Sequence, residues 1–288
     1  MSPSSRDRLL LWTLRVAAAT CAAILLLIAL FVVRESIPAL AEVGGWRFVS
    51  DPSWHPAAAA RDGSFDLTPM IVGTLLATLG AIALAGPFGV ASAVFCHFYA
   101  SARLARAYRY VVSLLAGIPS VVYGFWGLVV LVPIVRLLGP PGSSLLAGIL
   151  ILALMIVPTV ALIADSSLAS VPRAFLHGAA ALGMSRVRTV FGVVLPAARS
   201  GLLTSVILGT GRAIGETMAI LMVCGNVVAL PESALDPVRT LTANIALEMA
   251  YAMGDHRSAL FVSGLVLLGM VSILVALAGR LGEDPTGA

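Results

Sequence analysis

The chain has 288 residues, 59% of them hydrophobic and 11% charged, with a mean hydropathy of +1.02. Soluble domains average about 45–50% apolar and about 25% charged residues, so disorder and an ordinary water-soluble enzyme are excluded and an all-α, polytopic membrane protein remains. All 18 basic residues are arginine and the formal net charge is +4; without lysine there is no Schiff-base amine and no G-x-x-x-x-G-K-[ST] phosphate loop.

Six stretches have the ~20 mainly apolar residues that a span needs. The first, residues 16–33, follows Arg6, Arg8 and Arg15. That layout resembles a signal peptide, but its apolar length exceeds the ~7–15 residues of a signal core and predicts a retained anchor. The second lies within 67–96 and carries no charge. The third, 110–135, contains Pro119, which removes a backbone donor and breaks the helical ladder. Ser120 and Tyr123 then place hydroxyls beside freed carbonyls. They either line a polar cavity or repair the break locally.

The fourth span lies between Arg136 and Asp165, after the turn Gly139-Pro-Pro-Gly142. It leads to a loop that is rich in small and apolar residues. A short helix near Gly178–Leu182, ended by Gly183 and followed by a new element at Leu195-Pro196, would present a flat surface suited to a partner's groove. The other reading is a loop packed on itself.

The fifth span, 200–225, contains Arg212 and Glu216. A charge at the bilayer centre costs ~2.5–3.5 kcal/mol on insertion scales. On one continuous helix the two would lie ~40° apart and ~6 Å apart along the axis. They would share a small, polar stripe with Gly201, Ser205 and Gly209, opposite Leu203, Ile207 and Met218. One reading is a polar pathway in which the planar guanidinium meets an oxyanion and Glu216 keeps the binding escapable. The other is an ion pair that locks the span to a neighbour. The sixth span is 258–279.

Arginine bias orients the chain. With both termini in the cytoplasm, Arg6, Arg8, Arg103, Arg106, Arg109, Arg173, Arg186, Arg188, Arg199 and Arg280 lie inside, and Arg34, Arg47, Arg61, Arg136, Arg239 and Arg257 lie outside. Nine acids lie outside and three, Asp7, Glu283 and Asp284, inside. The outer segments 34–66 and 226–257 are long. Trp46 and Trp54 in the first either anchor it at the interface or touch an outside partner. No basic cluster suggests nucleic acid. Cys21, Cys96 and Cys224 form no C-x-x-C pair, which speaks against a metal or a disulfide framework.

The loop from Val171 to Pro196 resembles the EAA loop of binding-protein-dependent ABC importer permeases, E-A-A-x3-G-x9-I-x-L-P. Ala179, Gly183, Val193 and Leu195-Pro196 match its spacing, while His177 and Gly178 stand where Glu and Ala are usual. Gly211-Arg-Ala-Ile-Gly-Glu-Thr-Met-Ala219 with Met222-Val-Cys-Gly-Asn226 resembles the PstC-type phosphate permeases. So do Leu115-Ala-Gly-Ile-Pro-Ser-Val-Val-Tyr-Gly124 and Arg239-Thr-Leu-Thr-Ala-Asn244.

The resemblance implies a type I ABC importer permease fold with six transmembrane helices. Residues 1–66 would be an anchor helix with an extracytoplasmic loop, and 67–288 a five-helix core that includes the coupling loop 171–196. It implies a non-enzymatic subunit of a bacterial inner-membrane phosphate importer, with membrane lipid around it and both termini cytoplasmic. Its partners would be a homologous permease, two ATP-binding subunits that dock on His177, Gly178, Ala179, Gly183, Leu195 and Pro196, and an extracytoplasmic phosphate-binding protein. The chain itself would carry no cofactor, with ATP and Mg on the partner ATPase. Arg212 and Glu216 would carry inorganic phosphate, beside Ser120 and Tyr123. Alternatives are an ABC permease for sulfate or molybdate, or an ATP-independent secondary transporter. The latter predicts an inverted repeat that the sequence lacks.

Overall fold

The computed structural model describes residues 5–56 and 63–282, less the side chains of residues 5, 6, 8, 278 and 280–282. Arg61, Asp62, Glu283 and Asp284, and the side chains of Arg6, Arg8 and Arg280, therefore lie outside what is described. The helices are α1 (Ser5–Ala39), α2 (Arg47–Ser50), α3 (Thr68–Val94), α4 (Ala102–Gly117), α5 (Ser120–Trp126), α6 (Val132–Arg136), α7 (Leu145–Ala169), α8 (Arg173–Ala181), α9 (Arg186–Thr189), α10 (Leu195–Ala197), α11 (Arg199–Ile214), α12 (Met218–Val223), α13 (Leu241–Glu248) and α14 (Gly254–Gly282). Single π-turns continue α1, α3, α5 and α9. Among the described residues, β structure is confined to a two-stranded antiparallel ribbon, β1 (Trp54–His55) with β2 (Ser64–Phe65), and an isolated bridge between Gly225 and Val238.

Four described helical stretches are long and apolar enough to cross a membrane, Leu9–Gly44, Thr68–Tyr99, Leu145–Ala169 and Gly254–Leu277. Two bent pairs bring the number to six. Ala102–Gly117 meets Ser120–Arg136 at 91°, and Arg186–Ala197 meets Arg199–Ile214 at 70°. The third span is thus broken, and the break falls at Pro119, where Ile118 is extended. Leu195-Pro196 opens α10, as expected, with the proline in its first turn. That short helix follows the π-turn Val190–Val194 without a bend and closes the run Arg186–Ala197. A proline without an N–H suits a widened turn.

The chain forms two compact units, Met1–Asp66 with Glu248–Leu268, and Leu67–Leu247 with Gly269–Ala288. In the first, Phe31 stacks edge-on against Phe261 and Arg257 approaches Glu35 at 3.5 Å. The two tryptophans part company. Trp46 is 77% exposed, whereas Trp54 is 4% exposed and donates to Glu248 Oε2 at 2.9 Å, as does His256 Nε2 at 3.0 Å when protonated there.

In the second unit α7 is the central helix, with 56% of its most apolar stretch buried. Glycines on its neighbours let backbones close in. A Cβ at Gly89 would lie 2.8 Å from Val160 Cβ, one at Gly209 2.9 Å from Ile156 Cγ2, and one at Gly201 would strike Ser167. Ala77, Ala81 and Ala85 of α3 meet Ile151, Leu152 and Met155 of α7 in the same way. Between helices in lipid, such small-residue seams replace the hydrophobic drive that water supplies elsewhere. The N-terminal amides of α7 would be orphans. Ser144, Leu145 and Leu146 instead donate to the carbonyls of Val223, Asp236 and Ala234, which ties α7 to the chain that follows α12.

Candidate functional site

The fifth span is not one helix. It stops at Ile214 and resumes at Met218, so Arg212 and Glu216 do not share a helical face. Arg212 sits in the last turn of α11. Its Nη1 donates to Thr159 Oγ1 of α7 at 2.8 Å. Glu216 lies in the break, where its Oε1 accepts from Ala219 N at 3.1 Å. That bond satisfies an amide in the first turn of α12, which otherwise has no partner. The expected Arg212–Glu216 ion pair does not form.

The small stripe is also reassigned. Gly201 and Gly209 face α7 at van der Waals distance, and Ser205 is buried with its hydroxyl on Leu202 O. The stripe is the α11–α7 packing seam, and Arg212 with Thr159 forms its far end.

Tyr123 is buried, and its hydroxyl donates to Leu115 O at 2.9 Å. This adds a donor, beside Ile118 N at 3.2 Å, to a carbonyl that Pro119 cannot serve, as the local reading expects. Tyr123 also borders a cavity of about 250 Å³ with Ile118, Val122, Trp126 and Leu154. Ser120 opens α5 and is half-buried.

Three sequence motifs that are far apart in the chain meet here. Gly124 presses on α12, where a Cβ would lie 2.8 Å from Ala219 Cα. Thr242 of α13 donates to Glu216 O at 2.8 Å, closing the carbonyl left open by the α11–α12 break. Arg239 donates through Nε to Asn226 O at 3.0 Å and through Nη1 to Asn244 Oδ1 at 3.1 Å. Asn226 has φ of 58°, a left-handed conformation that Asn tolerates. It follows Gly225, whose own φ is 85°. The two let the chain reverse so that Asn226 N reaches Val238 O.

At the other end of the unit, α8 starts after Pro172 and covers Arg173–Ala181, five residues longer at its start than the sequence indicates. Gly183 ends it with φ of 66°. Its N–H reaches Ala180 O and that of Met184 reaches Ala179 O, both at 3.0 Å, a Schellman pattern. Ala179 is buried, while His177, Gly178 and Gly183 are exposed, and so are Phe175, Leu182, Val187 and Phe191. Such an apolar rim suits a partner's groove. Leu176, Val194 and Leu195 turn inward onto Ala164, Leu168 and Ala93.

Thr159 and Asp165 escaped the sequence reading. Thr159 has no signal of its own in an apolar run. Asp165 marks the edge of a span in the sequence but lies inside α7.

Residues 85–282 match the family described as binding-protein-dependent transport system inner membrane component. The chain belongs to that family. It is 39% identical over 234 residues to the probable ABC transporter permease protein YqgH of Bacillus subtilis, covering 80% of this chain and 75% of that protein. It is 36% identical to phosphate transport system permease protein PstC 1 of Mycobacterium tuberculosis, covering 82% and 76%, and 34% identical to PstC of Mesorhizobium japonicum, covering 81% and 77%. Its fold is similar to a chain of a bacterial ABC transporter that imports alginate, with a TM-score of 0.66 at 14% identity over 98% of this chain and 97% of that one. It is also similar to the MetNI methionine transporter in inward-facing form, with a TM-score of 0.58 at 19% identity over 75% and 92%. The fold is that of type I ABC importer permeases.

Proposed function

We propose that this chain is the PstC-type permease subunit of an ATP-driven phosphate importer in the bacterial inner membrane. The observation that carries the reading is Arg212. It is a permanent cation inside an apolar span, held by one neutral hydroxyl and paired with no carboxylate among the described residues. Arg212 is half-buried; an unbalanced charge at membrane depth is costly, and an oxyanion that passes it supplies the missing countercharge through the fork of guanidinium donors. Three phosphate permease-like motifs meet at Glu216, Ala219 and Asn226, in and beyond the break that follows Arg212, and the named PstC relatives support phosphate as the anion.

Glu216 and Ser120 face the same pathway, and Tyr123 braces it. A homologous permease contributes the other half. Both termini are cytoplasmic, two ATP-binding subunits carry ATP and Mg and dock over His177, Gly178, Ala179 and Gly183, and Leu195 and Pro196 hold the rear of that loop. An extracytoplasmic phosphate-binding protein delivers the substrate. The chain performs no covalent chemistry. It binds, orients and releases an anion as α8 is pulled by its partner.

The test is reconstitution of the complete transporter in proteoliposomes with labelled phosphate, sulfate and molybdate. ATP-dependent uptake of phosphate in preference to the other two is expected. Preference for sulfate or molybdate, or uptake driven by an ion gradient without ATP, overturns the reading.

A further inference from the structure

The mechanism above leaves the charged cluster around Asp165 unused. Asp165 lies in α7, four residues before that helix ends at Ala169. Its side chain is 16% exposed. Arg109 of α4 grips it with two bonds, Nε to Oδ2 at 2.7 Å and Nη2 to Oδ1 at 3.1 Å. His97 Nδ1 stands 3.4 Å from the same Oδ1. His97 belongs to the π-turn Phe95–Tyr99 that ends the second span. One carboxylate thus gathers three elements that the sequence separates widely, α7, α4 and the end of the α3 span.

The same π-turn is held from the docking loop. Arg186, the first residue of α9, donates through Nη1 to Phe98 O at 3.2 Å, and its guanidinium lies 5.9 Å from the centre of the Tyr99 ring. Beneath these polar contacts, Leu176 of α8 and Val194 of the loop pack onto Ala93, Ala164 and Leu168. A route of contiguous contacts therefore runs from the docking loop through Arg186 and the π-turn to Asp165, and from Asp165 to α4 and α7. The apolar contacts can slide, because dispersion is not directional. The bidentate Arg109–Asp165 pair cannot slide, because its geometry is fixed by two parallel bonds. α4 leads through the 91° bend to α5, and α7 carries Thr159, the hydroxyl on Arg212.

We propose that Asp165 is a positioning residue for energy coupling, the rigid joint that passes movement of the docking loop to the helices bearing the anion pathway. The inference rests on the functional reading above. A carboxylate serves where an apolar residue would not, because the joint must keep one orientation while the surrounding small side chains repack.

The test uses the complete transporter in proteoliposomes, with phosphate accumulated per ATP hydrolysed as the readout. Asp165→Asn is expected to assemble, keep hydrolysing ATP, and lower that ratio at least fivefold. The charge exchange Arg109→Asp with Asp165→Arg is expected to restore at least half of it, which assigns the effect to the ion pair and not to the acid alone. An assembled Asp165→Asn transporter with an unchanged ratio overturns the proposal. If Asp165→Asn does not assemble, Arg186→Gln decides, since Arg186 is exposed. A twofold or larger fall in the ratio supports the joint, and an unchanged ratio overturns it. Failure of the unmodified complex to take up phosphate with ATP would instead sink the functional reading, so the two failures are distinguishable.

Discussion

Arg212 Nη1 of α11 donates to Thr159 Oγ1 of α7 at 2.8 Å, so the one basic residue deep in the fifth span is aimed by a hydroxyl, not by an acid. One of its five N–H donors is committed to this bond, which leaves the others for the anion of the proposed pathway. Arg212→Gln is expected to leave assembly intact and to abolish ATP-driven phosphate uptake in reconstituted vesicles. An assembled variant that transports normally would leave Arg212 with a purely structural part.

Thr159 is expected to set the geometry of that guanidinium. Thr159→Val keeps the shape and removes the acceptor, leaving one donor unsatisfied at about 1–3 kcal/mol if it is buried. Uptake should fall roughly tenfold, mainly through a higher half-saturating concentration. Thr159→Ser should restore most of it. Equal behaviour of Val and Ser would exclude the hydroxyl from the site.

Glu216 separates charge from capping. Its Oε1 caps α12 through Ala219 N, and a glutamine oxygen can do the same. Glu216→Gln is therefore expected to keep thermal stability and to lower uptake at least fivefold, whereas Glu216→Ala should also lose about 1 kcal/mol of stability with the cap. Melting curves in detergent alongside uptake resolve the two. Full uptake in the Gln variant would confine Glu216 to capping.

Gly124 tests the meeting of the motifs. A Cβ there would lie 2.8 Å from Ala219 Cα and 3.3 Å from Met218 O, backbone atoms that a rotamer change cannot move. Gly124→Val should destabilise by ~1–3 kcal/mol or more as overpacking, visible as a lowered melting temperature and poor assembly. Wild-type stability would mean that α5 and α12 separate readily.

The docking surface is checked at Gly183 and Ala179. Gly183→Ala forces a side chain into a left-handed residue at a cost of ~1–2 kcal/mol, and no neighbour lies within 4 Å to clash. The strain is therefore purely local, and it should loosen the end of α8. Ala179→Trp should disrupt the buried base of α8 and release the ATP-binding subunit in co-purification. Retention of that subunit by both variants would count against this surface as the dock.

Composition and apolar run length were enough to determine an all-α membrane chain and to find the six apolar stretches, because a span is specified by length and hydropathy alone. They did not determine the bounds: the fifth, read as 200–225, is the bent pair Arg186–Ala197 with Arg199–Ile214. Motif spacing carried the family, and Gly183 was legible as a helix end because a left-handed C-terminal residue selects glycine. What the sequence could not decide was every relationship that depends on a break. Periodicity treats residues 200–225 as one helix and so pairs Arg212 with Glu216. The stop at Ile214 and restart at Met218 separate them, and the open backbone groups are closed by Thr242 and by Glu216 itself, partners with no local signature. The same holds for the Gly201–Gly209 stripe, which reads as polar lining but serves as a packing seam, since a small residue leaves room for either water or a neighbouring helix. Thr159 and Asp165 acquire meaning only through Arg212 and Arg109, 53 and 56 residues away. Local chemistry determined which groups needed partners, and only the tertiary structure decided which partners they found.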